Sequence, residues 1–222
     1  MSSVEDGFVP VAGDERLTTA IISDSCDAEG LRHQVLQQRL GPLVGGTRAL
    51  GRARTVRFAP SLVDDPDDPY GDAIAMIDSI RAGQMVVIAT GENNDSAFWG
   101  ELFSAAAMGS GAAGVVTDGN LRDTDRIAAL GFPAFSRSRR PIDFRARLRI
   151  IDVDEPVVIS GVRIESGDLI AADDDGVVVV PRAHEEAVLA RARERASGES
   201  TVLAELLAGE TLRTVWDRHR IL

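Results

Sequence analysis

The sequence predicts a mixed α/β protein in which a parallel βαβ half is followed by antiparallel hairpins and a helical tail. Between positions 74 and 135, apolar runs of strand length alternate with short amphipathic segments, the rhythm of consecutive right-handed βαβ units. Beyond Ser136 the apolar runs shorten, and Ser160-Gly161, Ser166-Gly167 and Asp175-Gly176 separate them as hairpin turns do. From Arg182 onward the chain is charged, with apolar residues at helical spacing.

Taken in order, Thr18, Thr19 and Ser23-Asp24 offer capping groups to a helical opening over 15–39. Gly41-Pro42 and Gly45-Gly46 break it, and 49–58 reads as a strand with Arg52 and Arg54 on alternate positions. In 61–70, Asp64, Asp65, Asp67 and Asp68 are interleaved with Pro66 and Pro69, which hold the segment extended as a solvated loop rather than a metal site. A helix over 74–81 ends at Ala82-Gly83, and 84–90 is a buried strand followed by a polar loop over 91–97. Then come a helix over 98–108, a strand over 114–118, a tight loop over 119–122 and a helix over 123–130 closed by Gly131. Residues 132–135 form a third strand, interrupted by Pro133. The second half supplies short strands at 150–153, 157–159, 162–164, 168–171 and 176–180. Two tail helices, 182–196 and 201–218, are split by Ser197-Gly198. With no Pro/Gly/Ser-rich linker, residues 1–222 read as one domain whose helical tail begins near 182.

Composition narrows the chemistry. The 222 residues carry 24 basic and 35 acidic side chains, a net charge of −11, which argues against a nucleic-acid surface. At 44% hydrophobic residues the chain can bury a core. No apolar run approaches the roughly 20 residues that span a bilayer, and the acidic start lacks an apolar signal region, so a cytoplasmic protein is expected. Cys26 is the only cysteine, which excludes an intrachain disulfide and a cysteine zinc cluster. Lysine is absent, which excludes a lysine Schiff base, a pyridoxal aldimine and a GxxxxGK[ST] phosphate loop. His33, His184 and His219 are scattered as ordinary surface or capping residues. The Asp173-Asp174-Asp175-Gly176 run lacks the DxDxDG spacing of a calcium loop and reads as a hairpin turn. The arginine-rich stretch 137–149 lacks interleaved aromatics for stacking on RNA and reads as surface or subunit-facing structure.

Carboxylates, arginines, hydroxyls and backbone amides remain, with a metal ion as an option. In a parallel sheet the loops beyond the carboxyl ends of the strands share one side. One βαβ step therefore brings Glu101 to the same edge as Arg122-Asp123. The Leu102 and Phe103 amides lie in the first turn of a helix, where an anion is favoured, and Gly100 lets a ligand approach the backbone. Two carboxylates suit a hard divalent cation that keeps several waters. A 2-keto acid fits this set: its carboxylate takes the amides and Arg122, while metal and arginine stabilise an enolate. The ordinary reading of Arg-Asp after a strand, a helix cap beside a surface arginine, stands beside this one.

Trp99-Gly100-Glu101-Leu102, Gly114-Val115-Val116-Thr117-Asp118-Gly119-Asn120-Leu121-Arg122-Asp123 and Ala129-Leu130-Gly131-Phe132-Pro133 together resemble the RraA-like family. Ile22-Ser23-Asp24, Gly41-Pro42 and the run from Gly167 to Pro181 extend the resemblance over about positions 18–216. That family includes class II 4-hydroxy-4-methyl-2-oxoglutarate and 4-carboxy-4-hydroxy-2-oxoadipate aldolases. The resemblance implies an αββα sandwich of the swivelling β/β/α type, assembled as trimers or paired trimers with sites between subunits. It implies a divalent cation, Mg2+ first and Mn2+ or Co2+ as alternatives, held directly by Asp123 and through water by Glu101. Arg122 would bind the keto acid and stabilise the pyruvate enolate, and Gly100 to Phe103 would contact substrate by main chain. Glu199 corresponds loosely to a glutamate donated by the neighbouring subunit; its ordinary reading is a solvated helix-start residue. The first acid is aspartate in some of these aldolases and glutamate here, which bears on substrate choice. The implied activity is cleavage of 4-hydroxy-2-keto acids to pyruvate, with oxaloacetate decarboxylation through the same enolate. The rival expectation, from the family's name, is a non-catalytic regulator that binds ribonuclease E.

Overall fold

The computed structural model describes residues 16–37, 40–61, 67–93 and 95–221. The expectations for the acidic start and for 62–66 of the proline–aspartate loop lie outside the described residues. In chain order the elements are α1 (Thr19–Ala28), β1 (Gly41–Pro42), β2 (Ala49–Pro60), α2 (Gly71–Asp78), β3 (Gln84–Ala89) and β4 (Ala97–Trp99). They continue with α3 (Glu101–Gly109), β5 (Gly114–Leu121), α4 (Thr124–Leu130), β6 (Ala134–Arg139), β7 (Leu148–Val153), β8 (Val157–Ile159) and β9 (Val162–Ile164). Last come β10 (Leu169–Ala172), β11 (Val177–Val180), α5 (Glu185–Leu207) and α6 (Leu212–His219).

Nine strands form one mixed sheet with the path β1-β6-β5-β3-β2-β10-β11; β4 adds to β5 and β7 to β2. The expected parallel half is present as β3, β5 and β6, and β2 adds a further parallel strand beside β3. Strands β8 and β9 form a separate hairpin, and β10 and β11 a second one across the Asp173–Gly176 turn. Strand β7 pairs antiparallel with β2 rather than with its sequence neighbour β8.

Apolar side chains fill three layers. On one face Val56, Val86, Ile88 and Val115 meet Met76 and Ile77 of α2, Ala107 of α3 and Ile127 of α4. On the other, Met85, Val87 and Val116 meet the β8–β9 hairpin through Ile159 and Ile164. The four valines of β11 are all buried because the strand is covered on both faces. Val177 and Val179 join the hairpin layer, while Val178 and Val180 join Ile22, Val188 and Ala192 of α1 and α5. Each such valine contributes about 1.5–3 kcal/mol by leaving water.

The structure corrects five local expectations. The opening helix stops at Ala28, well short of 39, because Gly30 adopts φ 81° and the chain reverses. Leu31 N–H then bonds Cys26 O (2.9 Å) and Gly30 N–H bonds Asp27 O (3.0 Å), the paired closure of a left-handed helix end. Gly41-Pro42 is a short edge strand on β6, where proline needs no donor on its open side. Phe98 and Trp99 belong to a strand rather than a helix, and β5 continues to Leu121 through the expected loop. Both follow from the pairing of Ala97–Trp99 with Asn120 and Leu121. Finally, α5 runs unbroken past Ser197-Gly198 to Leu207, and the break falls at Gly209, which has φ 97°. Gly198 faces the returning tail: a Cβ there would stand 2.3 Å from Ile221 Cδ1, the movable end of a side chain.

Candidate active site

The end of β5 and the start of α3 meet at one corner. Strand β4 delivers Trp99 beside Leu121, and Arg122 N–H donates to Trp99 O (2.9 Å), fastening the two segments. The Trp99 indole Nε1–H donates to Ser104 Oγ (2.7 Å), and Ser104 Oγ–H donates to Gly100 O (3.0 Å), which fixes the first turn of α3 against β4. Gly100 is extended (φ −147°), so its backbone conformation does not demand glycine. The demand is spatial: a Cβ would lie 2.8 Å from Asp123 Oδ2 and 3.1 Å from Arg122 Cγ.

Asp123 is left-handed (φ 52°) and stands at the N-cap of α4, yet its side chain makes no capping bond. Its carboxylate instead turns toward α3, with Oδ2 3.4 Å from Glu101 N and 3.6 Å from Arg122 Nε. The Glu101 carboxylate faces Arg126 Nη1 at 3.3 Å. Thus Gly100, Glu101, Arg122 and Asp123 come together as the sequence predicts. The first-turn amides of α3, including those of Leu102 and Phe103, have no partner within the helix and sit at its positive end. The Leu102 side chain is 78% exposed, whereas the Phe103 ring packs inward against Trp99 (5.7 Å between centroids). Phe103 therefore offers the site only its main chain.

Glu199 is not part of this corner within the chain. It lies inside α5 rather than at a helix start, and it pairs with Arg195 (2.8 Å), which also holds Asp24 (2.8 Å).

The structure adds two residues that the sequence reading missed. Arg122 Nη1 donates to Asp143 Oδ2 (2.8 Å), and Tyr70 O–H donates to the same oxygen (2.7 Å). Burial works to raise the Asp143 pKa, but hydrogen bonds from Tyr70 and Arg145 N–H and the nearby Arg122 charge outweigh it, leaving the carboxyl below its ordinary value. The Tyr70 hydroxyl is pushed up, first by its bond to Asp143 and then by burial. The available signal was that Asp143 is the only acid in the arginine-rich stretch 137–149.

Among the described residues no group of three or more His, Cys, Asp or Glu is gathered as a closed metal cage. A small hard cation needs less: it keeps most of its waters and takes one or two carboxylates. The uncapped, partly exposed Asp123 carboxylate, with Glu101 beginning the next helix, is a donor set of that kind.

Residues 19–179 match the RraA-like family model, described as Aldolase/RraA. A protein of Halalkalibacterium halodurans named "Putative 4-hydroxy-4-methyl-2-oxoglutarate aldolase" is 32% identical over 198 residues, covering 88% of this chain and 86% of that protein. Protein DlpA of Legionella pneumophila is 28% identical over 194 residues, 87% of this chain, and the match spans only 31% of that longer protein. Among solved structures, an uncharacterized protein from Pseudomonas syringae superposes with a TM-score of 0.79 at 31% identity, covering 90% of this chain and 92% of that one. RraAS2 of Streptomyces coelicolor, described as an unusual member of the RNase ES inhibitor RraA protein family, gives 0.76 at 27% identity, covering 86% and 94%. Family model, relatives and solved folds agree: this chain belongs to the RraA-like family.

Proposed function

We propose that the protein is a divalent-metal-dependent lyase that cleaves 4-hydroxy-2-keto acids to pyruvate and also decarboxylates oxaloacetate. One observation carries the proposal: Asp123 leaves its own helix uncapped and shares a corner with Glu101 and Arg122 beside the first-turn amides of α3. Asp123 would hold the cation, Mg2+ first, directly, with Glu101 reaching it through water. When bound, such an ion polarises a keto oxygen and acidifies water.

The chain's own residues do the rest. The amides of Leu102 and Phe103 and the Arg122 guanidinium bind the keto acid's carboxylate. Gly100 keeps that approach open. In the retro-aldol direction the C4 hydroxyl passes its proton to a water molecule at the site, a proton later returned to C3 to complete pyruvate, and the C3–C4 bond breaks. Its electron pair moves into the C2 carbonyl, giving the enolate of pyruvate and a second carbonyl compound. Arg122 places positive charge where the enolate oxygen develops, which is the interaction that strengthens as the bond breaks. Loss of CO2 from oxaloacetate leaves the same enolate.

In this reading the chain acts as one cytoplasmic domain in a trimer or paired trimer, with Glu199 supplied to a neighbour's site. Pyruvate release from oxaloacetate should require Mg2+, stop with chelator and fall at least 100-fold in Asp123→Ala. Borohydride added with substrate should leave activity intact, because no lysine exists to form an imine. Equal rates in all the metal arms and in the variant would overturn the proposal. The second reading, a regulator of RNA degradation, is favoured by the likeness to RraAS2. Retention of a ribonuclease E-type enzyme on the immobilised protein, without metal-dependent turnover, would select it.

A further inference from the structure

We propose that Asp143, anchored by Tyr70, is the positioning residue that holds the Arg122 guanidinium at the active corner; this rests on the lyase reading above. Arginine brings a long, freely rotating side chain, so an arginine that must meet a developing charge needs a fixed partner. Asp143 Oδ2 supplies it at 2.8 Å from Nη1 and also accepts the Tyr70 hydroxyl at 2.7 Å, while Oδ1 accepts Arg145 N–H at 3.1 Å. Both carboxylate oxygens are thus held before substrate arrives.

The backbone beneath Asp143 is fixed to the same strand that builds the corner. Ala97 N–H donates to Ile142 O (2.7 Å), and Ala97 pairs with Asp143 two residues before Trp99. The Phe144 ring packs edge-on against Tyr70 at 5.8 Å. Among the described residues Arg122 Nη1 bonds Asp143 and Nε faces Asp123, so in this proposal Nη2 is the nitrogen that meets a substrate oxygen.

The test combines turnover with a signal from Arg122 itself. Asp143→Ala should lower kcat/KM for oxaloacetate by about 10- to 100-fold when assayed well below its melting temperature, which itself falls because three donors lose their acceptor. Tyr70→Phe should cost about three- to tenfold, and Asp143→Asn, which keeps an acceptor, should fall between the two. On an Arg122→Ala background, Asp143→Ala should add no further loss; a full additive loss would overturn the proposal. Guanidinium 15N resonances, with Arg122 identified by its disappearance in Arg122→Ala, read the positioning directly. The Arg122 signal should shift and rotate faster in Asp143→Ala and stay put in Asp152→Asn, whose partner is Arg57. An Arg122 signal unchanged in Asp143→Ala would overturn the proposal whatever the activity. If the wild-type protein shows no turnover, the lyase reading fails alone and the resonance still decides the positioning. If Asp143→Ala does not fold, Asp143→Asn and Tyr70→Phe carry both readouts.

Discussion

Gly100 sets the limit on how close the two halves of the corner can stand. A methyl group there would press on Asp123 Oδ2 at 2.8 Å and on Arg122 Cγ and Nε at 3.1 and 3.2 Å, side-chain atoms that can shift. Gly100→Ala should therefore fold with a melting temperature within about 2–4 °C of the parent, a cost of about 1 kcal/mol or less. Turnover should drop about tenfold or more, because the displaced atoms are the ones proposed to meet metal and substrate. Steady-state kinetics beside thermal melting separates the two effects. At this scale much of the corner was legible: Glu101, Arg122 and Asp123 are charged residues at adjoining strand ends. Asp143 was hidden because its link to Arg122 comes from the pairing of β4 with the 142–143 segment, which no local periodicity announces.

Single elements show what propensity can and cannot say. The Asp175-Gly176 turn was readable, yet its first aspartate also fastens a helix far away in sequence. Asp173 accepts Thr19 N–H (2.9 Å), Thr19 Oγ–H (2.6 Å) and Asp175 N–H (3.0 Å). Burial works to raise its pKa, but the bonds from Thr19 and Asp175 prevail and leave it below the ordinary carboxylate value. A carboxyl depressed in the fold contributes its full stability above its unfolded pKa of about 3.9 and loses that contribution as pH falls through the folded value. Asp173→Ala should destabilise by about 1–3 kcal/mol at pH 7 in urea unfolding, and the gap between variant and parent should narrow below about pH 4. Helix α5 teaches the converse. Ser197-Gly198 has the composition of a break, but a mid-helix glycine costs only about 1 kcal/mol, less than the burial of Val188, Leu189, Ala192 and Ala196 along the same helix returns.

For the whole molecule, fold class and the parallel order of the central strands were readable because each βαβ step is local. The sheet's full order was not, since it depends on β2 serving three partners. Ala49–Arg52 pairs with β10, Arg52–Arg57 with β3 and Val56–Pro60 with β7, across a bulge at Arg57/Phe58. Twelve residues of one strand, with burial on both faces through much of its length, look in sequence like any apolar run with interspersed arginines. Those arginines turn out to be joints: Arg52 grips Glu185 at the start of α5 with two hydrogen bonds (2.7 and 3.0 Å), so the tail is tied to the sheet by charge as well as by packing.

The left-handed backbone at Asp123 has one more consequence. A residue placed there without a capping bond forgoes about 1 kcal/mol for its conformation and a similar amount for the unmade cap. Glycine would relax the first of these, partly offset by a freer unfolded chain, so Asp123→Gly should melt about 1–2 °C higher than the parent while losing the carboxylate proposed to hold the cation. Toughness and the proposed chemistry then pull on a single joint in opposite directions, and directed selection for heat resistance alone would erode this position early.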